Sequence, residues 1–250
     1  MNTKKILFFS FLVLFLNCLY GSGNDSLLYH IQDKVYDAFL SSFQDNSPKR
    51  LMDIELELKQ VSKQNQMGVY WFAYAKYYES IYYLKIQDKK KSSKELDAAI
   101  SMLEEIKNKN SEHYALLAFL QGFSIQYSGG MSSAAISTKA KKNAETALKL
   151  DSTNLRAWYV LASNDYYTPV AFGGGKKCEG YLLKAISLNE QTIANPYMPS
   201  WGKSDAYVLL LEYYVGKEDF INAKKHLALA LVLYPDDYML NQYVEILKDK

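Results

Sequence analysis

The sequence predicts an all-α protein, a right-handed α-α superhelix of about five helical hairpins plus a C-terminal capping helix. Apolar residues recur with the α-helical period along the chain, and the alternation typical of β-strands is nowhere sustained. Each of the 5 prolines lies near a predicted helix boundary, where proline starts or ends a helix. Aromatic and small residues repeat at fixed spacings, which indicates stacked hairpins in one domain over residues 24–250.

The predicted helices pair in chain order, and a final helix closes the array. Their limits follow from apolar periodicity and from flanking proline, glycine and polar residues. The pairs are 26–43 with 48–63, 69–86 with 92–107, 112–127 with 133–150, 154–167 with 176–189, and 203–215 with 218–234. The closing helix covers 236–248, with Asp236 or Asp237 as its N-cap, because a carboxylate there accepts hydrogen bonds from the first backbone N–H groups.

The fifth hairpin has the most regular side-chain pattern. Its first helix carries one stripe and its second helix another: Tyr207, Leu210, Leu211 and Tyr214, then Ala223, Leu227 and Ala230, before Pro235. Small residues let the two backbones approach, and large residues fill the space between them. This window of about 34 residues resembles a tetratricopeptide repeat (TPR), with Leu211 where a small residue is usual. The resemblance covers residues 69–237 with less regularity and is absent from the first hairpin.

Residues 1–23 have the features of a secretory signal peptide. A basic start (Lys4, Lys5) precedes the apolar run Ile6–Leu16, which is too short to span a bilayer, and the small residues Gly21–Gly23 follow. We therefore expect an exported bacterial protein, periplasmic or secreted. The alternative is a lipid anchor on Cys18, although Asn17 precedes Cys18 where a lipoprotein signal has a small residue. Membrane association is expected only in that case.

The charge balance argues against binding to nucleic acid or to anionic membranes. The chain has 29 Lys+Arg and 27 Asp+Glu, and removal of Lys4 and Lys5 with the signal peptide leaves 27 of each. After cleavage Cys178 has no second cysteine with which to form an internal disulfide, despite the oxidising compartment. Stability must therefore come from packing, for which 22 Tyr and 11 Phe supply large apolar area.

Two irregular segments interrupt the repeats. Tyr166–Lys177 contains three glycines and resembles a turn in the T-component of TRAP transporters, a periplasmic helical-repeat protein. It is not a phosphate loop, because Val170 stands where the first glycine of that motif is needed. We interpret it as a tight reversal between helices. Asn195–Lys203 is too long for a repeat turn, and two interpretations stay open: a cover over the core edge, or a lip of a ligand groove that includes Trp201.

The TPR resemblance implies that first helices line a concave face that binds ligand. Mapped by repeat position, and with Trp201 added from the neighbouring loop, the implied binding residues are Phe72, Lys76, Arg156, Tyr159, Ser163, Tyr166, Tyr167, Trp201 and Glu212. The Lys and Asn clamp that holds a terminal carboxylate in chaperone-binding members is missing. Amphipathic tyrosines suit contact with a peptide, a protein surface or an apolar small molecule.

The sequence does not predict an enzyme, a metal site or a cofactor. The histidines His30, His113 and His226 lie on different repeats, without neighbours at zinc-ligand spacing. Cys178 occupies a small-residue position that favours packing over nucleophilic chemistry. The leading hypothesis is a non-catalytic scaffold that binds a protein or peptide partner on its concave face. The alternative is a small-ligand or solute-binding accessory of a periplasmic transport system, which requires a closed apolar pocket between the fourth and fifth hairpins. The sequence leaves the oligomeric state open.

Overall fold

The computed structural model describes residues 27–190, 195 and 197–250, so the predicted signal peptide and Cys18 lie outside the described residues. Within them the chain forms α-helices and two single-turn 3-10 helices, Ile125–Tyr127 and Val170–Phe172, and no strand. The helices are α1 (Ile31–Gln44), α2 (Lys49–Val61), α3 (Gln66–Lys85), α4 (Lys89–Glu105), α5 (Ser111–Ser124), α6 (Gly130–Leu150), α7 (Leu155–Tyr167), α8 (Cys178–Ser187), α9 (Lys203–Gly216), α10 (Phe220–Leu233) and α11 (Tyr238–Leu247). The predicted all-α array of five hairpins and a closing helix is confirmed.

Asparagine and aspartate side chains set where many helices begin. Asn65, Asn110 and Asn154 precede α3, α5 and α7, and each accepts a hydrogen bond from a backbone N–H of the first turn. Asp219 does the same for α10. Asp237 caps α11 by accepting from the Leu240 N–H at 3.0 Å, so of the two predicted N-caps it is Asp237 that acts.

The odd-numbered helices form the inner row of the array. Each of α1, α3, α5, α7 and α9 contacts the next odd-numbered helix, whereas contacts between successive even-numbered helices are sparse. The array therefore curves towards the odd-numbered helices, as in a solenoid of stacked hairpins. Small residues in the outer helices let the two helices of a hairpin pack closely together. Those at the predicted packing positions are fully buried: Ala99, Ala140, Ala144, Ala147, Cys178, Ala185, Ala223 and Ala230.

The glycine-rich insertion is a tight reversal between α7 and α8. Gly173 and Gly175 have φ angles of 89° and 76°, which side-chain-bearing residues rarely adopt. A Cβ atom on Gly174 would lie 1.8 Å from the Thr168 carbonyl oxygen. The Asp165 carboxylate accepts from the backbone N–H groups of Lys177 and Cys178 at 2.8 and 2.9 Å. Asp165, which replaces the usual repeat tyrosine, thus fixes the start of α8.

No helix in the described ranges combines the length and the apolar character needed to cross a membrane.

Candidate functional site

Helix α9 is buried except along one stripe that faces the inner side of the array. Between residues 205 and 215, the side chains that are not buried are Asp205, Val208, Glu212 and Val215. They follow the i, i+3, i+7 and i+10 spacing of one helix face. Val208 and Val215 pack against the C-terminal hydrophobic core, as do Tyr159 and Tyr166 of α7, and α7 contacts α9 directly. The stripe therefore forms one wall of a surface that α7 continues.

The neighbouring wall is formed by tyrosines of α7. Tyr159, Ser163 and Tyr166 are half-buried on one face of that helix, and the Tyr167 side chain is 67% exposed. The rings of Tyr166 and Tyr167 meet edge to face with centroids 5.0 Å apart. We call the surface formed by Tyr159, Ser163, Tyr166, Tyr167, Asp205, Val208 and Glu212 the tyrosine face.

Aromatic side chains continue from the tyrosine face towards the N-terminal hairpins. The Phe119 ring on α5 lies 6.3 Å from that of Tyr159 and 5.1 Å from that of Tyr77 on α3, measured between centroids. Tyr78 on α3 in turn meets the half-exposed Tyr36 of α1 at 6.0 Å. A continuous aromatic floor thus runs along the inner helices.

Two carboxylates of α9 influence the pKa values of the tyrosines on the tyrosine face. Burial, followed by the charge and the hydrogen-bonding influence of Glu212, raises the pKa of Tyr166 to about 12. Burial and the charge of Asp205 raise the pKa of Tyr159. Asp205 is exposed at the surface, and desolvation by the surrounding protein raises its pKa. The structure thus brings together five of the predicted residues: Tyr159, Ser163, Tyr166, Tyr167 and Glu212.

The segment Tyr197–Gly202 covers the inner face of the N-terminal hairpins. Trp201 is 8% exposed, and its indole N–H donates to the Tyr70 hydroxyl at 2.6 Å. The Trp71 indole N–H donates to the Tyr197 carbonyl at 3.1 Å. The Gln32 amide oxygen on α1 accepts from the Ser200 and Trp201 N–H groups at 2.9 and 3.1 Å. Of the two interpretations of this segment, the contacts favour a cover, so Trp201 is a packing residue of the inner face.

Arg156 holds this cover in place instead of facing solvent. Its side chain is fully buried and forms a two-point ion pair with Glu112 of α5, at 2.6 and 2.7 Å. The remaining guanidinium nitrogen donates to the carbonyls of Pro199 and Trp201 at 3.1 and 3.3 Å. Burial alone would lower the pKa of Arg156, but the charge of Glu112 and its hydrogen bonds raise it. The structure therefore assigns Arg156 an internal role, unlike the ligand contact predicted from repeat position.

Phe72 and Lys76 lie apart from the tyrosine face. The Lys76 ammonium is surrounded by Glu55 on α2, Glu79 on α3 and Glu95 on α4, at 2.9, 3.5 and 2.7 Å. Phe72 lines a cleft of about 440 Å³ between the same three helices. The face of α3 that meets the cover and the aromatic floor carries Tyr70, Tyr74, Tyr77 and Tyr78 instead. The residues of α3 that repeat position predicts to face inwards therefore lie on a different side of the helix from the one that faces inwards in the structure.

The Lys76 cluster contains more carboxylates than cations. Glu55 is 7% exposed, and one of its oxygens has no hydrogen-bond partner. Burial, followed by the negative charge of Glu79, raises the pKa of Glu55 to about 8, and Lys76 offsets only part of this effect. Burial would lower the pKa of Lys76, but its carboxylate partners raise it. Burial therefore favours the protonated form of Glu55 more than it would be favoured in an exposed glutamate.

Several side chains of the inner face were not predicted as site residues. These are Tyr77, Phe119 and Tyr243, which contribute aromatic surface. The signal for α3 was in the sequence, since tyrosines stand at positions 70, 74, 77 and 78, the spacing of one helix face. The repeat positions assigned from Trp71 instead place Phe72 and Lys76, on the opposite side of α3, at ligand-contact positions.

The histidines and the cysteine have structural partners. His113 takes part in the capping box of α5, and its other ring nitrogen lies 3.0 Å from the Gln66 carbonyl. His226 stacks on Tyr214 with centroids 5.7 Å apart. Cys178 is fully buried, and burial raises the pKa of its thiol to about 12. Within the described ranges no three His, Cys, Asp or Glu side chains are grouped so as to hold a metal ion.

Two clefts lie elsewhere in the described part of the chain, away from the junction of the fourth and fifth hairpins. The first is the 440 Å³ cleft beside Phe72, and the second, of about 380 Å³, lies between Asn110, Asp151 and Met198. The tyrosine face is instead an open surface formed by half-buried and exposed side chains.

Comparisons with known proteins show the fold. No protein-family profile and no curated protein matches the sequence. Among solved structures, the HusA haemophore from Porphyromonas gingivalis superposes with a TM-score of 0.55 and 19% identity, over 78% of this chain and 95% of that chain. YrrB, a TPR protein with an unusual peptide-binding site, gives 0.38 and 13% over 83% and 97%. BtubC from P. vanneervenii gives 0.35 and 15% over 87% and 76%. The superposition on HusA therefore shows a shared all-α fold.

Proposed function

We propose that this protein is an exported, non-catalytic scaffold that binds a protein or peptide partner on the tyrosine face. One observation carries the proposal: the stripe of Asp205, Val208 and Glu212 is left open on an otherwise buried helix and stands beside the exposed rings of α7. Tyrosines present a large contact area and a polar hydroxyl with few rotatable bonds, which suits them to interfaces. Export through residues 1–23, with or without a lipid on Cys18, belongs to the same proposal.

The buried cover explains why the binding surface lies at the C-terminal end of the inner face. Tyr197–Gly202 occupies the inner side of α1, α3 and α5, where it satisfies its own backbone groups against Gln32, Trp71 and Arg156. A partner would have to displace these contacts to bind there. The surface of α7 and α9 needs no such displacement.

A photocrosslinker placed on this surface tests the proposal. Val208 would be replaced by p-benzoylphenylalanine, with Ile221 on the outer face of α10, 84% exposed, as the matched control. We expect a crosslinked partner at position 208 that is absent at position 221 and is lost in the Tyr159→Ala/Tyr166→Ala variant. The same adducts at both positions, or adducts that survive the tyrosine substitutions, would refute binding at this face.

A small apolar ligand is the second candidate, as an accessory to a transport system. Two observations favour it: the aromatic floor along the inner helices and the fold shared with a protein named a haemophore. Haem carries two negative propionates, which the carboxylates of Asp205 and Glu212 would repel. A haemin titration followed by Soret absorbance separates the candidates, since a saturable complex lost in Tyr166→Ala would support the ligand and its absence would support the scaffold.

A further inference from the structure

The charges around the tyrosine face indicate what kind of partner it fits. Asp205 and Glu212 stand on the open stripe of α9 two helical turns apart. Among the described residues no ion pair includes either carboxylate. The groups beside them are neutral: the Gly202 N–H donates to Asp205 at 2.9 Å, and the Tyr166 hydroxyl interacts with Glu212. The face thus carries two uncompensated negative charges.

The surrounding inner helices supply no cation to neutralise them. Helices α5, α7, α9 and α11 carry only Arg156 and Lys203 as lysine or arginine residues within their bounds. The Arg156 guanidinium is paired with Glu112, and the Lys203 ammonium donates to the Leu188 carbonyl at 2.8 Å. Both positive groups are therefore engaged away from the tyrosine face.

Exposed aromatic rings stand beside these carboxylates. The rings of the half-buried Tyr166 and the exposed Tyr167 stand at right angles to each other, and the Tyr159 ring on the same helix lies 6.3 Å from the Phe119 ring. The face of an aromatic ring attracts a cation, and a carboxylate nearby adds a direct ionic contact. Lysine and arginine side chains also have apolar stems that pack well on tyrosine and valine surface. The same set of groups repels an anionic segment.

We propose that the tyrosine face binds a cationic peptide segment, in which lysine or arginine side chains pack on Tyr166 and Tyr167 and pair with Asp205 and Glu212. This inference rests on the proposed function, because it names the partner class of the same surface. It gives the open stripe on α9 and the scarcity of lysine and arginine on α5, α7, α9 and α11 a common explanation.

Three fluorescein-labelled dodecapeptides test the inference. They share the same four leucines and four glycines, and the other four positions are lysine, glutamine or glutamate. Dissociation constants would be measured by fluorescence anisotropy at low and high ionic strength. We expect the lysine peptide to bind about tenfold more tightly than the glutamate peptide at about 20 mM salt, and the difference to shrink at about 500 mM.

The Asp205→Asn/Glu212→Gln variant removes both charges and keeps both hydrogen-bond acceptors, so helix capping at Gly202 is retained. It should bind the three peptides within about threefold of one another. The matched control is Glu57→Gln/Asp97→Asn, which removes two exposed carboxylates from the outer helices α2 and α4 and should keep the lysine preference. Circular dichroism would confirm that each variant is folded.

The outcomes separate this inference from the proposed function. Equal binding of the three peptides by the wild type, or a preference for glutamate, would overturn the cationic partner and leave peptide binding at the face intact. A lysine preference that persists in Asp205→Asn/Glu212→Gln would overturn it as well. Binding of none of the peptides would count against both proposals.

Discussion

The ion pair of Arg156 and Glu112 allows a sharp prediction, because both side chains are buried and each has several partners. Replacement of Arg156 by methionine keeps similar volume but leaves the Glu112 carboxylate, 4% exposed, without its cation. Removal of one member of a buried pair typically costs about 3–5 kcal/mol. The carbonyls of Pro199 and Trp201 also lose a donor, at about 1 kcal/mol each. Asn154 still donates to Glu112 at 2.8 Å, which limits the loss.

We therefore expect Arg156→Met to lower the free energy of unfolding by about 4 kcal/mol, a large share of the stability of an ordinary domain. Urea denaturation followed by circular dichroism measures this loss. Amide hydrogen exchange at Ser200 and Trp201 should accelerate in the same variant, because their hydrogen bonds to Gln32 depend on the position of the cover.

The double variant Glu112→Gln/Arg156→Met provides the control. It removes the uncompensated charge as well as the cation, so it should recover a substantial part of the lost stability. A cost below about 1 kcal/mol for Arg156→Met, or a double variant no more stable than the single one, would refute the reasoning. Unchanged exchange at Trp201 would show that Arg156 does not hold the cover.

Three further predictions concern other parts of the fold. The pKa of Glu55 is raised in the folded state from 4.5 to about 8, so the folded state binds the extra proton and stability should fall as pH rises through this range. Glu55→Gln should lose less of its free energy of unfolding than the wild type as pH rises, by up to a few kcal/mol at about pH 8. Urea denaturation at several pH values measures this difference, and equal pH dependence in both proteins would contradict the prediction. Gly174→Ala should cost about 2 kcal/mol or more, because the new Cβ meets the Thr168 carbonyl oxygen, whereas Gly180→Ala, with no atom within 4 Å, should be neutral or slightly stabilising in the same assay. Cys178 should resist iodoacetamide at about pH 8 in the native protein and react after denaturation, as read by mass spectrometry of its peptide; rapid native labelling would show that the thiol is not buried.

The helices were predictable because their signals are local. Apolar periodicity, proline and capping residues act within a few positions, and the five hairpins follow the predicted limits closely. The open stripe of α9 and the face of α7 were also predictable, since repeat position determines which side of these two helices faces inwards. These residues needed no information from distant parts of the chain.

The rest of the site depended on tertiary contacts. Helix α3 has bulky apolar residues on several sides, so its tyrosine stripe stood out less clearly than the inner side of α7 or α9. The contacts of Arg156 with Glu112 and Trp201 span 44 and 45 residues, and no local pattern predicts them. These contacts explain why Arg156 and Trp201 are buried packing residues, although both were predicted to contact a ligand.

The hydrogen bonds between Gln32 and Ser200 have a consequence for how the molecule folds. In an ordinary solenoid each repeat touches only its neighbours, so terminal repeats can unfold one at a time. Here two side chains 168 residues apart are joined, at 2.8 Å between the Gln32 amide nitrogen and the Ser200 hydroxyl. The first hairpin cannot open without breaking contacts to the segment before the fifth. The array should therefore unfold as one cooperative unit, and it should fold more slowly than its local helical contacts alone would allow, because this long loop must close first.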